Sequence, residues 1–238
     1  MEKPFKFKQF VIYQSQCAMK ITSDACLFGG YAAEKIKSSG CVLDIGTGTG
    51  LLSLMIIQKN SVNIDALEID QKAAHQASNN FKISKWRNQL NCINTSLQKY
   101  SQSCFIKYDF IICNPPFHHQ KSKSLDLKKR VARHDVTLTM ADLLYHVSLL
   151  LKQKGSFFIF IPFNSFQELV TYCEKYNLFI NETISLKPNE TKLPNRIICQ
   201  IQHFKAKDQK KIILNHIQNN QLSEPAKSYV SEYYLNKL

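Results

Sequence analysis

The 238-residue sequence predicts an α/β fold in which a mostly parallel sheet carries helices on both faces. Three observations predict it. Short apolar runs alternate with helix-spaced patterns from residue 41 to residue 176. A glycine-rich turn, LDIGTGTG (43–50), joins the first of those runs to the first helical pattern. Two late apolar runs, 178–188 and 196–204, have no helical pattern between them and read as an antiparallel closing pair. The expected sheet has seven strands with an antiparallel C-terminal strand, in one domain spanning 1–238.

The elements follow in order. CVLDI (41–45) reads as the first strand and LLSLMIIQ (51–58) as the helix after it. VNIDALEID (62–70) is the second strand and QKAAHQASNNFKI (71–83) the next helix. QLNCINTS (89–96) and YDFIICN (108–114) are the third and fourth strands. TMADLLYHVSLLLK (139–152) repeats apolar residues at helical spacing, with Thr139 as its N-cap. GSFFIFIP (155–162) is apolar almost throughout, as a strand covered on both faces should be. SFQELVTYCEKY (165–176) is the last internal helix. Beyond residue 205, KIILNHI reads as an extra strand and SEPAKSYVSEYYLNKL as a short helix.

Composition narrows the function classes. Hydrophobic residues make up 44%, which is ordinary for a soluble globular chain. No apolar stretch is long enough to span a bilayer, and MEKPFKFKQF has no signal-peptide core, so a cytoplasmic protein is expected. None of the eight cysteines forms a C-x-x-C pair, which argues against zinc and thiol-redox chemistry. The net charge of +13 points to a polyanionic partner, nucleic acid before membrane. No obligate protein partner is evident.

The glycine turn is the first candidate site. Gly46, Gly48 and Gly50 let the backbone turn tightly and approach a ligand closely. A dinucleotide fingerprint would require a small residue where Leu51 stands, and no phosphate-loop lysine comes after it, so a dehydrogenase and an NTPase are disfavoured. Glu68 closes the second strand about 20 residues past the turn, where a carboxylate can accept both hydroxyls of a ribose. Asp70 reads as a helix cap.

The second candidate is CNPPFH (113–118) at the end of the fourth strand. Two consecutive prolines cannot continue a central strand, so Pro115 and Pro116 end it and stiffen the chain beyond it. The Asn114 Oδ1 and the Pro115 carbonyl are then candidate acceptors for the two N–H bonds of an aromatic amine, and Phe117 a surface on which its ring stacks. Acceptors so placed orient a delocalised lone pair for attack and stabilise the charge that develops on nitrogen.

Together these motifs resemble motifs I and IV of the class I S-adenosylmethionine-dependent methyltransferases, with NPPF as in the amino-methyltransferases. FKQFVIYQSQCAMKITSDACLFGGYA (7–32), ARHD (132–135) and LPNRIICQI (193–201) narrow the resemblance to the tRNA(1)(Val) adenine-37-N6 methyltransferases, over most of the chain up to residue 204. The resemblance implies a Rossmann-like fold, S-adenosylmethionine as cofactor, S-adenosylhomocysteine as product and tRNA as partner. It implies cofactor contacts by Lys20, Thr22, Asp24, Asp44, Gly46, Thr47, Gly48, Gly50, Glu68, Ile69 and Asn114, with 1–40 covering the cofactor. Thr22, Ser23 and Asp24 also read as a plain helix cap. Asn114, Pro115, Pro116 and Phe117 are the implied catalytic residues. Ser96 stands where the family often has an aspartate, so the usual acidic contact to the cofactor adenine is lacking.

Lys121, Lys123, Lys128, Lys129, Arg130 and Arg133 crowd 118–135, read as a mobile basic loop that grips RNA phosphates. Arg133 also suits a surface ion pair, and His134 either loop support or a helix cap. Two alternatives stand beside N6-methylation of tRNA adenine. One is a ribosomal RNA guanine-N2 methyltransferase, which also carries NPPFH. The other is a catalytically silent RNA-binding module on the same fold.

Overall fold

The computed structural model describes residues 3–36, 39–115, 138–219 and 221–235. The chain opens with a hairpin of β1 (Phe5–Lys6) and β2 (Val11–Ile12), then α1 (Ser23–Lys35). Next come β3 (Gly40–Ile45), α2 (Leu51–Lys59), β4 (Val62–Glu68), α3 (Gln71–Ile83), β5 (Leu90–Asn94), α4 (Leu97–Ser103) and β6 (Tyr108–Cys113). After residue 138 the chain forms α5 (Met140–Leu150), β7 (Leu151–Pro162), α6 (Phe166–Lys175), β8 (Phe179–Asn189) and β9 (Arg196–Gln202). β10 (Lys210–Gln218), β11 (Gln221–Leu222) and α7 (Glu224–Val230) complete the described chain.

Nine strands form one sheet in the order β11-β10-β8-β9-β7-β6-β3-β4-β5. The seven expected strands are β3 to β9. β9 runs antiparallel between β7 and β8, which closes the parallel set as expected. The extra strand expected beyond residue 205 is β10, which pairs parallel with β8, and β11, which was not expected, folds back on β10. The edge of β8 would otherwise expose unpaired backbone groups, and β10 covers them.

Strand alternation divides the side chains between two cores. Val42, Ile64, Ile112, Phe158, Phe160 and Ile198 face the first, which is shared with α1, α2, α3 and α7. Leu43, Ile45, Ile111, Phe157, Ile159 and Ile197 face the second, shared with α4, α5 and α6. Each fully buried Leu, Ile or Phe contributes about 1.5–3 kcal/mol, so both faces of β6 and β7 hold the sheet in register.

Most boundaries agree with the sequence pattern. Thr139 caps α5 through a reciprocal pair with Asp142. The strand expected at 155 starts earlier, at Leu151, because the Leu151 N–H still closes α5 on the Val147 carbonyl while its residue pairs with Tyr108. α4 was not expected; it occupies the connection between the third and fourth strands.

The two ends of the described chain meet. Phe7 bridges to Tyr234, the Lys8 N–H donates to the Tyr233 carbonyl (2.8 Å), and the Tyr233 hydroxyl donates to the Met55 carbonyl of α2 (3.0 Å). The Tyr31 and Tyr229 rings meet edge-on at 5.9 Å and join α1 to α7.

Candidate active site

Register brings the two sequence motifs together. In the sheet Ile45 pairs with Leu67 on one side and with Cys113 on the other, and Glu68 pairs with Asn94. Gly46 and Asn114, each one residue further along, therefore leave neighbouring parallel strands at the same level. β3 is the strand at which chain order reverses, since its neighbours are β4 and β6. Open α/β sheets bind ligands in the crevice at that point, beyond the carboxyl ends of the strands.

The glycine turn is held mainly by backbone. Gly46, Gly48 and Gly50 have φ of 71°, 55° and 82°, in the left-handed region that side chains disfavour. The Gly46 and Thr47 N–H groups both donate to the Leu67 carbonyl (2.9 and 3.0 Å). A Cβ at Gly46 or Gly48 would meet nothing within 4 Å, so both glycines border open space. A Cβ at Gly50 would lie 2.4 Å from the Phe81 ring of α3, so there the glycine serves packing.

Two carboxylates sit beside the turn. Asp44 is fully buried, and its Oδ2 accepts from the hydroxyls of Thr47 and Ser53, each at 2.7 Å. Its Oδ1 is buried without a hydrogen-bond partner. Burial pushes the Asp44 carboxyl up to about 6; the Ser53 and Thr47 hydrogen bonds oppose the rise and the charge on Glu68 adds to it. Glu68 Oε2 accepts from the Gly48 N–H (2.9 Å) and Oε1 from the Asp70 N–H (3.0 Å). Each of its oxygens keeps a further lone pair. Asp70 caps α3 by accepting from the Ala73 N–H (2.8 Å), as expected. Ile69 is 48% exposed at the rim.

The other side of the crevice is plainer. Pro115 is buried and Asn114 half-buried, directly after β6. Among the described residues nothing hydrogen-bonds the Asn114 side chain. Pro116, Phe117, Lys121, Lys123, Lys128, Lys129, Arg130, Arg133 and His134 lie outside the described residues.

The N-terminal segment runs against the turn. Asn80 of α3 is fully buried; it accepts from the Tyr13 N–H (3.0 Å) and donates to the carbonyls of Tyr13 and Thr49 (2.9 Å each). Gln76 accepts from the Gln16 N–H and the Ser15 hydroxyl (3.4 Å each). Neither residue stood out in the sequence; a buried amide on a helix otherwise reading as polar was the available signal. Lys20 donates to the Gln14 carbonyl. Thr22 caps α1, accepting from the Ala25 N–H at 3.2 Å. Asp24 pairs with Nδ1 of His216 on β10 at 2.7 Å. Ser96 caps α4, accepting from the Lys99 N–H at 3.2 Å.

Fold and crevice together define a methyltransferase. The methyltransferase small domain family model matches residues 32–160. A tRNA1(Val) (adenine(37)-N6)-methyltransferase of Trichodesmium erythraeum is 34% identical over 97% of both chains. One from Bacteroides thetaiotaomicron is also 34% identical over 97% of both. The structure of a predicted O-methyltransferase from Agrobacterium tumefaciens superposes with a TM-score of 0.66 at 11% identity, over 87% of this chain and 95% of that one; it shares the fold. The chain belongs to the tRNA1(Val) (adenine(37)-N6)-methyltransferase family. Fold and family imply dependence on S-adenosylmethionine. The crevice fits that group on two observations: the unpartnered Asp44 Oδ1 suits an ammonium, and the open faces of Gly46 and Gly48 leave room for a ligand.

Proposed function

We propose that the chain methylates the N6 amino group of an adenine in tRNA, and that the base is adenine 37 of tRNA1(Val), the position in its relatives' name. One observation carries the reading. Asn114 emerges beside the glycine turn, on the strand paired with it, with its amide uncommitted among the described residues. S-adenosylmethionine supplies, when bound, an electrophilic methyl group on a positively charged sulfur.

The chain's own residues do the rest. Asp44 receives the cofactor's ammonium, Glu68 its ribose hydroxyls, and Gly46, Thr47, Gly48 and Gly50 let the backbone come close. Ile69 borders the cofactor adenine, and Lys20 and Thr22 flank the pocket within the covering segment 1–40; Asp24, expected there, is held instead by His216 on β10, five strands from β3. Asn114 Oδ1 and the Pro115 carbonyl each accept one N–H of the target amine, which aims its lone pair and stabilises the positive charge that grows on nitrogen. Pro116 stiffens this arrangement and Phe117 stacks on the base. Lys121, Lys123, Lys128, Lys129, Arg130 and Arg133 grip phosphates of the same tRNA. An anticodon-loop adenine is single-stranded and cheap to unstack, so it reaches the crevice at low cost. Among the described residues no helix is long and apolar enough to cross a membrane. The site of action is the cytoplasm.

The test is methyl transfer from labelled S-adenosylmethionine to total tRNA lacking the modification, read by nucleoside analysis. N6-methyladenosine at position 37 of one valine tRNA is expected. Label appearing instead as N2-methylguanosine in ribosomal RNA would overturn the reading.

A further inference from the structure

The carboxyl ends of β6, β7, β8 and β10 and the amino end of β9 lie along one edge of the sheet, so the edge that carries Asn114 continues to Arg196 at the start of β9. Register fixes their relation. Cys113 pairs with Ile159 on β7, Ile159 with Cys199 on β9, and Pro162 with Arg196. Arg196 is thus two strands across from Asn114 and two residues further out, an offset of about 12 Å between Cα atoms. Both lie on the same face. Ile112 and Ile198 face the first core, and Asn114 and Arg196 stand two residues from them on their strands.

The Arg196 guanidinium is positioned yet lacks a counter-charge. It lies 5.5 Å from the Phe160 ring centroid, and Phe160 itself stacks on Phe28 of α1 at 5.5 Å. The side chain is half-buried. Among the described residues no carboxylate pairs with it. Of the acids on neighbouring elements, Asp24 holds His216 and Glu182 holds Lys35 at 2.7 Å, and Glu190 makes no ion pair with Arg196 among the described residues. Lys187 near the end of β8 and Lys192 on the β8–β9 connection add positive charge beside it. A guanidinium fork fixed on an aromatic face and left without a carboxylate matches a phosphate oxygen pair.

Resting on the tRNA-methylation reading, we propose that Arg196 is a positioning residue that binds a backbone phosphate of the substrate strand, one or two nucleotides from the base held at Asn114. It registers the strand across the sheet edge, so that the correct base reaches the crevice. The site is distinct from the basic run at 118–135 and lies on the sheet itself.

The test measures binding of unmodified tRNA across a salt series, binding of S-adenosylhomocysteine, thermal melting and N6-methyladenosine formation, in the wild type and in R196A, R196Q and R196K. R196Q keeps most of the stem over Phe160 and guards against misfolding. R196A and R196Q are expected to weaken tRNA binding roughly tenfold and to flatten the dependence of log affinity on log salt by about 0.7. R196K falls between, because an ammonium keeps the charge and loses the fork. S-adenosylhomocysteine affinity and the melting temperature of R196Q stay at the wild-type values. Wild-type tRNA affinity and salt slope in R196Q, with the wild type forming N6-methyladenosine, would overturn the phosphate role and leave the methylation reading standing. Loss of S-adenosylhomocysteine binding in step with tRNA binding would mark the residue as structural and also overturn it. A wild type that forms no N6-methyladenosine in tRNA would remove the methylation reading, and this proposal with it.

Discussion

The two walls of the crevice are built on opposite principles. On the β3–β4 side almost every polar group has a protein partner: Leu67 and Glu68 together receive the N–H groups of Gly46, Thr47 and Gly48. On the β6 side Asn114 stands half-buried with no described hydrogen bond to its amide. The first wall is largely finished before any ligand arrives, and Asp44 Oδ1 is a buried side-chain atom in it without a partner. The second is finished by the substrate. Removing a group from the first wall should therefore change stability and cofactor affinity, whereas removing Asn114 should change turnover far more than either.

The largest expected effect breaks the second wall. Asn114→Ala should lower methyl transfer by about 10²–10³-fold, the cost of losing one acceptor aimed at developing charge. S-adenosylhomocysteine affinity, measured by calorimetry, should stay within about threefold. Near-wild-type turnover would end the proposed mechanism.

Asp44 tests the first wall. Its folded carboxyl titrates at about 6 against 3.8 when unburied. The native state then holds more protons than the unfolded state across that window, so the Asp44 contribution to stability falls as pH rises from about 4 to about 6. Relative to the D44N variant, the wild type should lose about 2 kcal/mol between pH 4 and pH 7, measured by denaturant unfolding of both proteins. Cofactor affinity should rise over the same interval, since an ammonium at Oδ1 favours the charged form, and D44N should lose that dependence. A stability difference that is flat with pH would show that Asp44 does not titrate this way.

Asn80→Ala should cost about 1–3 kcal/mol, because it leaves buried backbone groups of Tyr13 and Thr49 unpaired. Hydrogen exchange should report it as faster exchange at Tyr13 and neighbouring residues, with the sheet amides unchanged. The smallest effect sharpens the boundary of the site: Ser96→Ala should cost about 1 kcal/mol as a lost helix cap, with S-adenosylhomocysteine affinity unchanged. A clear drop in that affinity would return Ser96 to the cofactor pocket.

Legibility in the chain divides along the same line. Runs such as VNIDALE and FFIFI announce strands because apolar side chains must be covered on both faces, and the glycines at 46, 48 and 50 announce a turn because few other residues accept those dihedrals. Asp70 was legible too, as the cap of α3, and so was the place of Glu68 at the end of β4. α4 was not. LQKYSQS is short and polar, and Ser96 looked like the end of a strand before it proved to be a cap. Asn80 was hidden because its partners, Tyr13 and Thr49, lie 67 and 31 residues away. Asp24 found His216 on a strand whose place in the sheet no local pattern specifies. Contacts set by long loops leave little trace in a window of neighbours.

The meeting of residues 7–8 with 233–234 carries a consequence for biosynthesis. A nascent chain emerges N-terminus first. The hairpin that leads into Tyr13 leaves the ribosome before every strand of the nine-stranded sheet, whereas Tyr233 and Tyr234, which lock it against α2, leave after all of them. The hairpin is thus made first and fastened last, and its attachment to α2 through Tyr233 waits until translation has passed residue 233.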